Sequence, residues 1–201
     1  MNYIKFDTIE STNDFLKSYI KQNKVPSFFY VYADEQTKGK GQRSNSWKSD
    51  CCKNILISYF IEFERLAKNQ FQLSQIVSVS VLEFLQKFNI PDLKIKHPND
   101  ILAGPFKISG ILIENTLSKN KIKHSVLGIG INVNQTHFPD LPFATSLKKI
   151  TGIEYDRKEL IHSLTEILKR NFNLPENEIQ NKYVRYLYKP NVQKIDLKNE
   201  D

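Results

Sequence analysis

The stretch LKIKHPNDILAGPFKISGILIEN (residues 93–115) decides the fold. Leu93 to Lys96 reads as a strand that ends before Pro98. Ile101-Leu102 and Lys107 to Asn115 read as a hairpin turning at Ala103-Gly104-Pro105. Working outward, Leu73, Ile76, Val77, Val81, Phe84, Leu85 and Phe88 recur at helical spacing, which predicts an amphipathic core helix over 70–88. Phe28 to Ala33, Asn54 to Phe63 and Ile122 to Val133 are strand-like runs rich in β-branched and aromatic residues. Tyr3 to Ile9 is a further short strand. After it, Ser11 with Asp14 three residues on resembles a capping box that opens a helix. From Thr145 the pattern is helical, with a second such start at Asp156 and Glu159 and a stripe of Leu160, Ile161, Leu164, Ile167, Leu168 and Phe172. The layout is α+β: a mixed, largely antiparallel sheet with helices packed on it.

At 201 residues the chain can bury a real core. Its 40% hydrophobic and 25% charged residues are ordinary for a globular protein. The net charge of +7 points to an anionic partner without choosing among nucleic acid, nucleotide, acidic protein and membrane surface. No apolar run approaches the ~20 residues of a membrane-spanning helix. The start Met1-Asn2-Tyr3-Ile4-Lys5 lacks a signal-peptide core. Cys51 and Cys52 are adjacent, which does not suit an ordinary disulfide, so a cytoplasmic location is expected. His97, His124, His137 and His162 lack zinc-ligand spacing.

Four places carry chemistry. The polar loop from Gln36 to Lys53 sets Lys38, Lys40, Arg43, Lys48 and Lys53 against Asp50 alone, +4 of the chain's +7. Such a loop is either a mobile surface segment or a phosphate cradle whose Gly39 and Gly41 admit a ligand. Trp47, the only tryptophan, fits a ligand or lid contact. Asn99-Asp100 after Pro98 reads as a turn or as an amide and a carboxylate serving phosphate and Mg²⁺. Lys107 heads an apolar strand and needs an anionic partner or a route to solvent. Gly128-Ile129-Gly130 reads as a strand that another backbone or a ligand passes closely. By itself, Ser11-Thr12-Asn13 is a helix cap.

Taken in order, these segments resemble the biotin protein ligases. The resemblance is carried by Glu10-Ser11-Thr12-Asn13, by Ala33-Asp34-Glu35-Gln36-Thr37-Lys38-Gly39-Lys40-Gly41 up to Trp47, and by Lys96-His97-Pro98-Asn99-Asp100-Ile101. Lys107-Ile108-Ser109-Gly110-Ile111-Leu112-Ile113-Glu114 and Gly128-Ile129-Gly130-Ile131-Asn132-Val133-Asn134 complete it. It spans roughly residues 1–188 and implies the class II synthetase-like catalytic fold shared by biotin and lipoate ligases. The implied reaction has two steps. Biotin and MgATP give biotinyl-5′-AMP, and a lysine of a biotin carboxyl carrier domain then takes the biotin. ATP, Mg²⁺ and biotin are thus substrates and metal, with no tightly bound prosthetic group. A homodimer is compatible with the resemblance, and DNA and membrane partners are not expected.

Residue by residue, the resemblance assigns Ser11, Thr12, Asn13 and Gln36 to the ureido ring of biotin. Gly39, Lys40, Gly41 and Gln42 belong to the loop over biotin and the adenylate phosphate, and Gly110 and Gly130 line the biotin site. Lys107 is the electrostatic centre, a catalytic position together with Lys40 and Arg43. The ATP-binding set is Gln42, Arg43, Trp47, Asn99, Asp100, Lys107 and Asn132, with Asp100 the Mg²⁺ position.

The chain departs from the family pattern in three respects. Gln42 stands where a second loop arginine is usual, which implies weaker retention of the adenylate unless Arg43 substitutes. His97 replaces a tryptophan and reads as structural. The family's small C-terminal β-barrel is represented at most by one strand over Val192 to Leu197, so residues 189–201 read as its remnant or start, and no winged helix precedes Tyr3. Three other readings compete: a lipoate-type ligase, whose own arginine- and glycine-rich signature is not seen; a nucleic-acid-binding domain, which needs basic residues on a helix face rather than in a glycine loop; and a degenerate, non-catalytic biotin binder, given the missing barrel.

Overall fold

The computed structural model describes residues 3–43, 45–66, 69–119 and 121–189, and for 63–66 the backbone alone. Val192 to Leu197 and Ser44 lie outside them.

Two strand-forming runs separated by one helical run make the first unit. Strand β1 (Tyr3–Ile9), helix α1 (Thr12–Gln22) and β2 (Tyr30–Gln36) follow in order, and β1 pairs with β2 in parallel. A parallel pair needs such a crossover. Ser11 is the N-cap of α1, accepting from Asp14 N–H at 3.4 Å. Asp14 does not close the capping box, because its carboxylate turns to Lys17 and Lys40 instead. The second strand begins at Tyr30, later than expected, since Phe28 sits at φ +64° in the left-handed region.

The rest of the sheet is antiparallel. It comprises β3 (Ile55–Leu66), β4 (Leu93–Lys96), β5 (Asp100–Ala103), β6 (Phe106–Ser118) and β7 (Lys121–Ile131), in the order β1-β2-β3-β7-β6-β5-β4. The expected α+β class holds. Helix α2 (Gln70–Gln86) connects β3 to β4, and α3 (Leu147–Thr151), α4 (Arg157–Phe172) and α5 (Glu176–Tyr186) follow the last strand.

Side chains alternate across a strand, so the two faces separate cleanly. Tyr30, Tyr32, Ile55, Ile57 and Tyr59 face the main core with Val77, Leu85, Leu164 and Leu168 from α2 and α4. Val31, Phe60 and Val126 face Leu16 of α1 on the other side. The second face is covered only in part, and the uncovered part holds the site.

One ion pair ties α4 to the sheet. Asp34 receives Arg157 at 2.7 Å and Lys5 at 2.7 Å. Burial opposes the charge on Asp34, but the bonds from Lys5 and Arg157 outweigh it and hold the carboxyl below its ordinary value. A depressed folded pKa stabilises the fold above the unfolded value and ceases to do so as pH falls through the folded one. We therefore expect Asp34→Asn to cost about 2 kcal/mol at pH 7, between the values for exposed and buried pairs. The gap to the wild type should close below about pH 4. Urea midpoints at pH 7 and pH 3 check this, and an unchanged gap at pH 3 would remove the charge from the account.

Candidate active site

The open face of the sheet carries a trough made by register. Asp100, Gly110, Gly130 and Leu56 are cross-strand neighbours on β5, β6, β7 and β3, and Leu112, Gly128 and Ser58 form the next row but one. Glycines at three of these positions remove the side chains that would fill the face. A Cβ on Gly128 would lie 2.4 Å from Asn13 Oδ1, and one on Gly130 2.5 Å from the Trp47 ring. The glycine pair read from the sequence thus admits two protein side chains, one from α1 and one from the loop. The resulting cleft has a volume of about 550 Å³.

Its polar end is a continuous hydrogen-bonded chain. Gln36 Oε1 accepts from Thr12 N–H at 2.7 Å and from Thr12 Oγ1 at 2.9 Å. The fully buried Ser58 hydroxyl lies 2.8 Å from Thr12 Oγ1 and against Asn13 Oδ1. Asn13 Nδ2 donates to Glu114 at 2.9 Å, and Glu114 pairs with Lys17 at 2.6 Å. Lys17 reaches Asp14, which pairs with Lys40 at 2.6 Å. Burial works against the charge on Lys17, yet Glu114 and Asp14 hold its pKa above the ordinary value. Both ends of the Asn13 amide are therefore used within the protein, while the Gln36 amide nitrogen makes no hydrogen bond among the described residues.

The glycine loop closes over the trough as a tight hairpin. Trp47 N–H donates to Gly39 O at 2.9 Å and Gly41 N–H to Asn45 O at 2.7 Å. Lys38 is tied to Glu10 at 2.7 Å, as Lys40 is to Asp14. The densest positive run of the sequence is thus partly matched by acids of β1's end and α1. Arg43, in the left-handed region at φ +52°, and Gln42 both line the cleft. The Trp47 indole lies on Gly110 and Gly130, and its buried Nε1 has no hydrogen-bond partner among the described residues.

Lys107 stands where the trough meets a second cavity of about 580 Å³. Its Nζ is 2.7 Å from Asp100 Oδ1 and 5.6 Å from the centre of the Trp47 ring. Asp100 Oδ1 is buried, and the lysine contact lacks hydrogen-bond geometry. The Lys107 backbone is fixed separately, donating to Phe143 O at 2.7 Å and accepting from Thr145 N–H at 2.9 Å. The second cavity is walled by Trp47, Leu102, Phe138, Leu141, Pro142 and Phe143, with Lys48, Lys96 and Asn132 at its edge. Phe143 is 70% exposed, high for so large an apolar side chain.

Most of the residues singled out from the sequence meet here. Ser11, Thr12, Asn13, Gln36, Lys40, Gly41, Gln42, Arg43, Trp47, Asn99, Asp100, Lys107, Gly110 and Gly130 line the first cleft. Gly39 lies just behind it, with no room for a Cβ beside Trp47 O and Gln36 Nε2. Asn132 lines the second cavity and donates its amide to Thr145 O at 2.9 Å. Asn99 straps the turn to β6 through Ile111. His97 bonds Tyr183 at 3.0 Å, meets Phe71 edge-on and also lines the first cleft. Ser58, Lys17, Glu114, Phe138 and Phe143 carried no local signal, since their roles depend on register and on loop packing.

The model of the Biotin/lipoate A/B protein ligase family matches residues 5–132. The "Bifunctional ligase/repressor BirA" of Bacillus spizizenii is 31% identical over 170 residues, 83% of this chain and 52% of the relative. The "Biotin--[acetyl-CoA-carboxylase] ligase" of Mycobacterium tuberculosis is 28% identical over 143 residues, 69% of this chain and 52% of the relative. The chain therefore spans about half the length of the curated relatives it matches. A solved structure of the biotin protein ligase from Aquifex aeolicus in complex with biotin and ATP superposes with a TM-score of 0.77 at 31% identity, covering 92% of this chain and 78% of that one.

Proposed function

From the premise that the chain belongs to the Biotin/lipoate A/B protein ligase family, we propose that residues 1–188 form a catalytic domain that activates biotin with ATP and transfers it to a carrier-domain lysine. One observation carries this: Lys107, whose ammonium also contacts Asp100, lines with Lys96 both a cleft with a polar far end and an apolar cavity edged by cations. Biotin fits the first, with its ureido ring toward Gln36 and Ser11 and its carboxylate toward Lys107. The adenosine half of ATP fits the second, against Trp47 and Phe143.

In the first step a biotin carboxylate oxygen attacks the α-phosphorus and pyrophosphate leaves. Two anions must approach, so the requirement is positive charge held in place rather than a protein nucleophile. Lys107 supplies it at the reacting centre, with Lys40 and Arg43 from the loop. In the second step the carrier amine attacks the activated carbonyl and AMP leaves. Asp100 is the carboxylate that would hold Mg²⁺, its Oδ1 accepting no hydrogen bond although the Lys107 ammonium lies 2.7 Å away; among the described residues no cluster of three acids, histidines or cysteines forms a dedicated cage. The metal, when bound, neutralises phosphate charge. Among the described residues no helix is long and apolar enough to cross a membrane, and we place the reaction in the cytoplasm, with a biotin carboxyl carrier domain as partner.

Incubation with biotin, ATP, Mg²⁺ and an apo carrier domain should yield a biotinylated carrier by mass spectrometry. Absence of both biotinyl-AMP and modified carrier refutes the reading, and modification by lipoate alone moves it to a lipoate ligase. Gln42→Arg adds a guanidinium beside the phosphate and should slow adenylate release roughly tenfold. Trapping on hydroxylamine measures that rate. Glu114→Gln removes the carboxylate that, through Asn13 and Lys17, holds the start of α1 and with it Ser11 against the sheet, and should raise the KM for biotin about tenfold with little change in kcat. An unchanged KM would leave Ser58 and the Gly128 gap as sufficient.

A further inference from the structure

Cys51 and Cys52 have no part in the reaction above, and both thiols are exposed. Their Sγ atoms lie 3.0 Å apart, side by side on a turn. That turn is held by its backbone. Cys52 N–H donates to Asp34 O at 3.0 Å, Asn134 N–H to Lys53 O at 2.8 Å, and Asp50 N–H to Gln135 Oε1 at 3.1 Å. Cys52 adopts φ +64°, uncommon for a residue with a Cβ.

The two sulfurs are thus presented together on a fixed support. Adjacent Cα atoms are ~3.8 Å apart, short of the ~4.4 Å that an ordinary disulfide needs, so an atom bridging the sulfurs suits the pair better than a direct bond. Tetrahedral zinc needs further protein ligands, and among the described residues no group of three histidines, cysteines or acids exists. A linear two-coordinate metal asks for sulfurs farther apart than these. A centre with a bent S–X–S angle that brings its own third substituent remains.

We propose that Cys51 and Cys52 form a two-sulfur chelating site for a monosubstituted trivalent arsenical. The step is a condensation: R–As=O and two Cys–SH give R–As(S–Cys)₂ and water. Two S–H bonds and the As=O bond break, two As–S bonds form, the thiol protons leave in the water, and arsenic stays trivalent. The hydrogen bond between the two thiols pushes the Cys51 thiol up to about 11, which disfavours attack by reagents that consume one thiolate. Selectivity for a two-thiol reagent comes from the paired sulfurs, 3.0 Å apart on a held turn.

The test treats the protein with one equivalent of phenylarsine oxide and reads intact mass. One adduct per chain should form, survive excess 2-mercaptoethanol and be removed by 2,3-dimercaptopropanol. In Cys51→Ser and Cys52→Ser, both at exposed positions, single-point attachment should weaken retention by at least ~100-fold, so the monothiol strips the adduct. Unchanged circular dichroism shows that the variants fold. A wild-type adduct stripped as readily as the variants', or a wild-type chain lighter by two hydrogens that takes no arsenical, overturns the site.

Discussion

Lys107→Gln should lower biotinyl-AMP formation by at least ~10²–10³-fold while the protein stays folded. The glutamine keeps most of the stem and removes the charge. The loss falls on the step in which two anions are brought together, because that is where an ammonium contributes most. The backbone bonds of Lys107 to Phe143 and Thr145 do not involve its side chain, so β6 keeps its place. Asp100 loses its ion-pair partner, at a cost of about 1–3 kcal/mol in stability. Pyrophosphate release gives the rate and thermal unfolding gives the fold. A near-normal kcat with an intact fold would assign the charge stabilisation to Lys40 and Arg43 and remove Lys107 from the centre. A raised KM for biotin with unchanged kcat would make Lys107 a binding residue only.

The second large effect is expected from Gly130→Ala. One methyl group would lie 2.5 Å from Trp47 Cε2 and 2.7 Å from Cζ2. The indole lies on Gly110 as well as Gly130, so the ring must come off both glycines, and the short backbone hairpin that carries it joins that shift to Lys40, Gln42 and Arg43. Adenylate formation should fall about 100-fold, in line with the cost of misplacing groups by about an ångström. Stability should change little, since alanine suits a strand better than glycine. Trp47 is the only tryptophan, so its emission should shift to the red in the variant. Gly104→Ala is the control: it meets nothing within 4 Å, but its φ of +57° makes it destabilising, by about 1 kcal/mol. Its tryptophan emission should not move. An unshifted emission in Gly130→Ala would mean that the sheet yields instead of the loop.

The two variants also separate what was legible in the chain from what was not. Lys107 could be singled out because a lysine at the head of the run Ile108 to Glu114 conflicts with its surroundings. The same holds for the loop, where five cations and two glycines break every periodicity. Such conflicts are local, and local chemistry is what a linear pattern displays. Ser58 and Glu114 conflict with nothing. A serine in an apolar strand and a glutamate at the end of one are both ordinary, and only the register of β3 against β7 and of β6 against β7 sets them around Asn13.

The capping-box reading shows the same limit. Ser11 caps α1 as its hydroxyl predicts, but Asp14 had two available partners and tertiary packing supplied the stronger. A neutral backbone N–H loses to two ammonium groups. Strands, helices, the α+β class and the charged loop follow from residue type and spacing, because steric alternation and capping act over a few residues. The trough does not. It exists because Gly110 and Gly130 meet Leu56 and Asp100 across four strands, and because Trp47 folds back from a loop onto them. Those contacts join residues far apart in the chain, and no short-range preference specifies them.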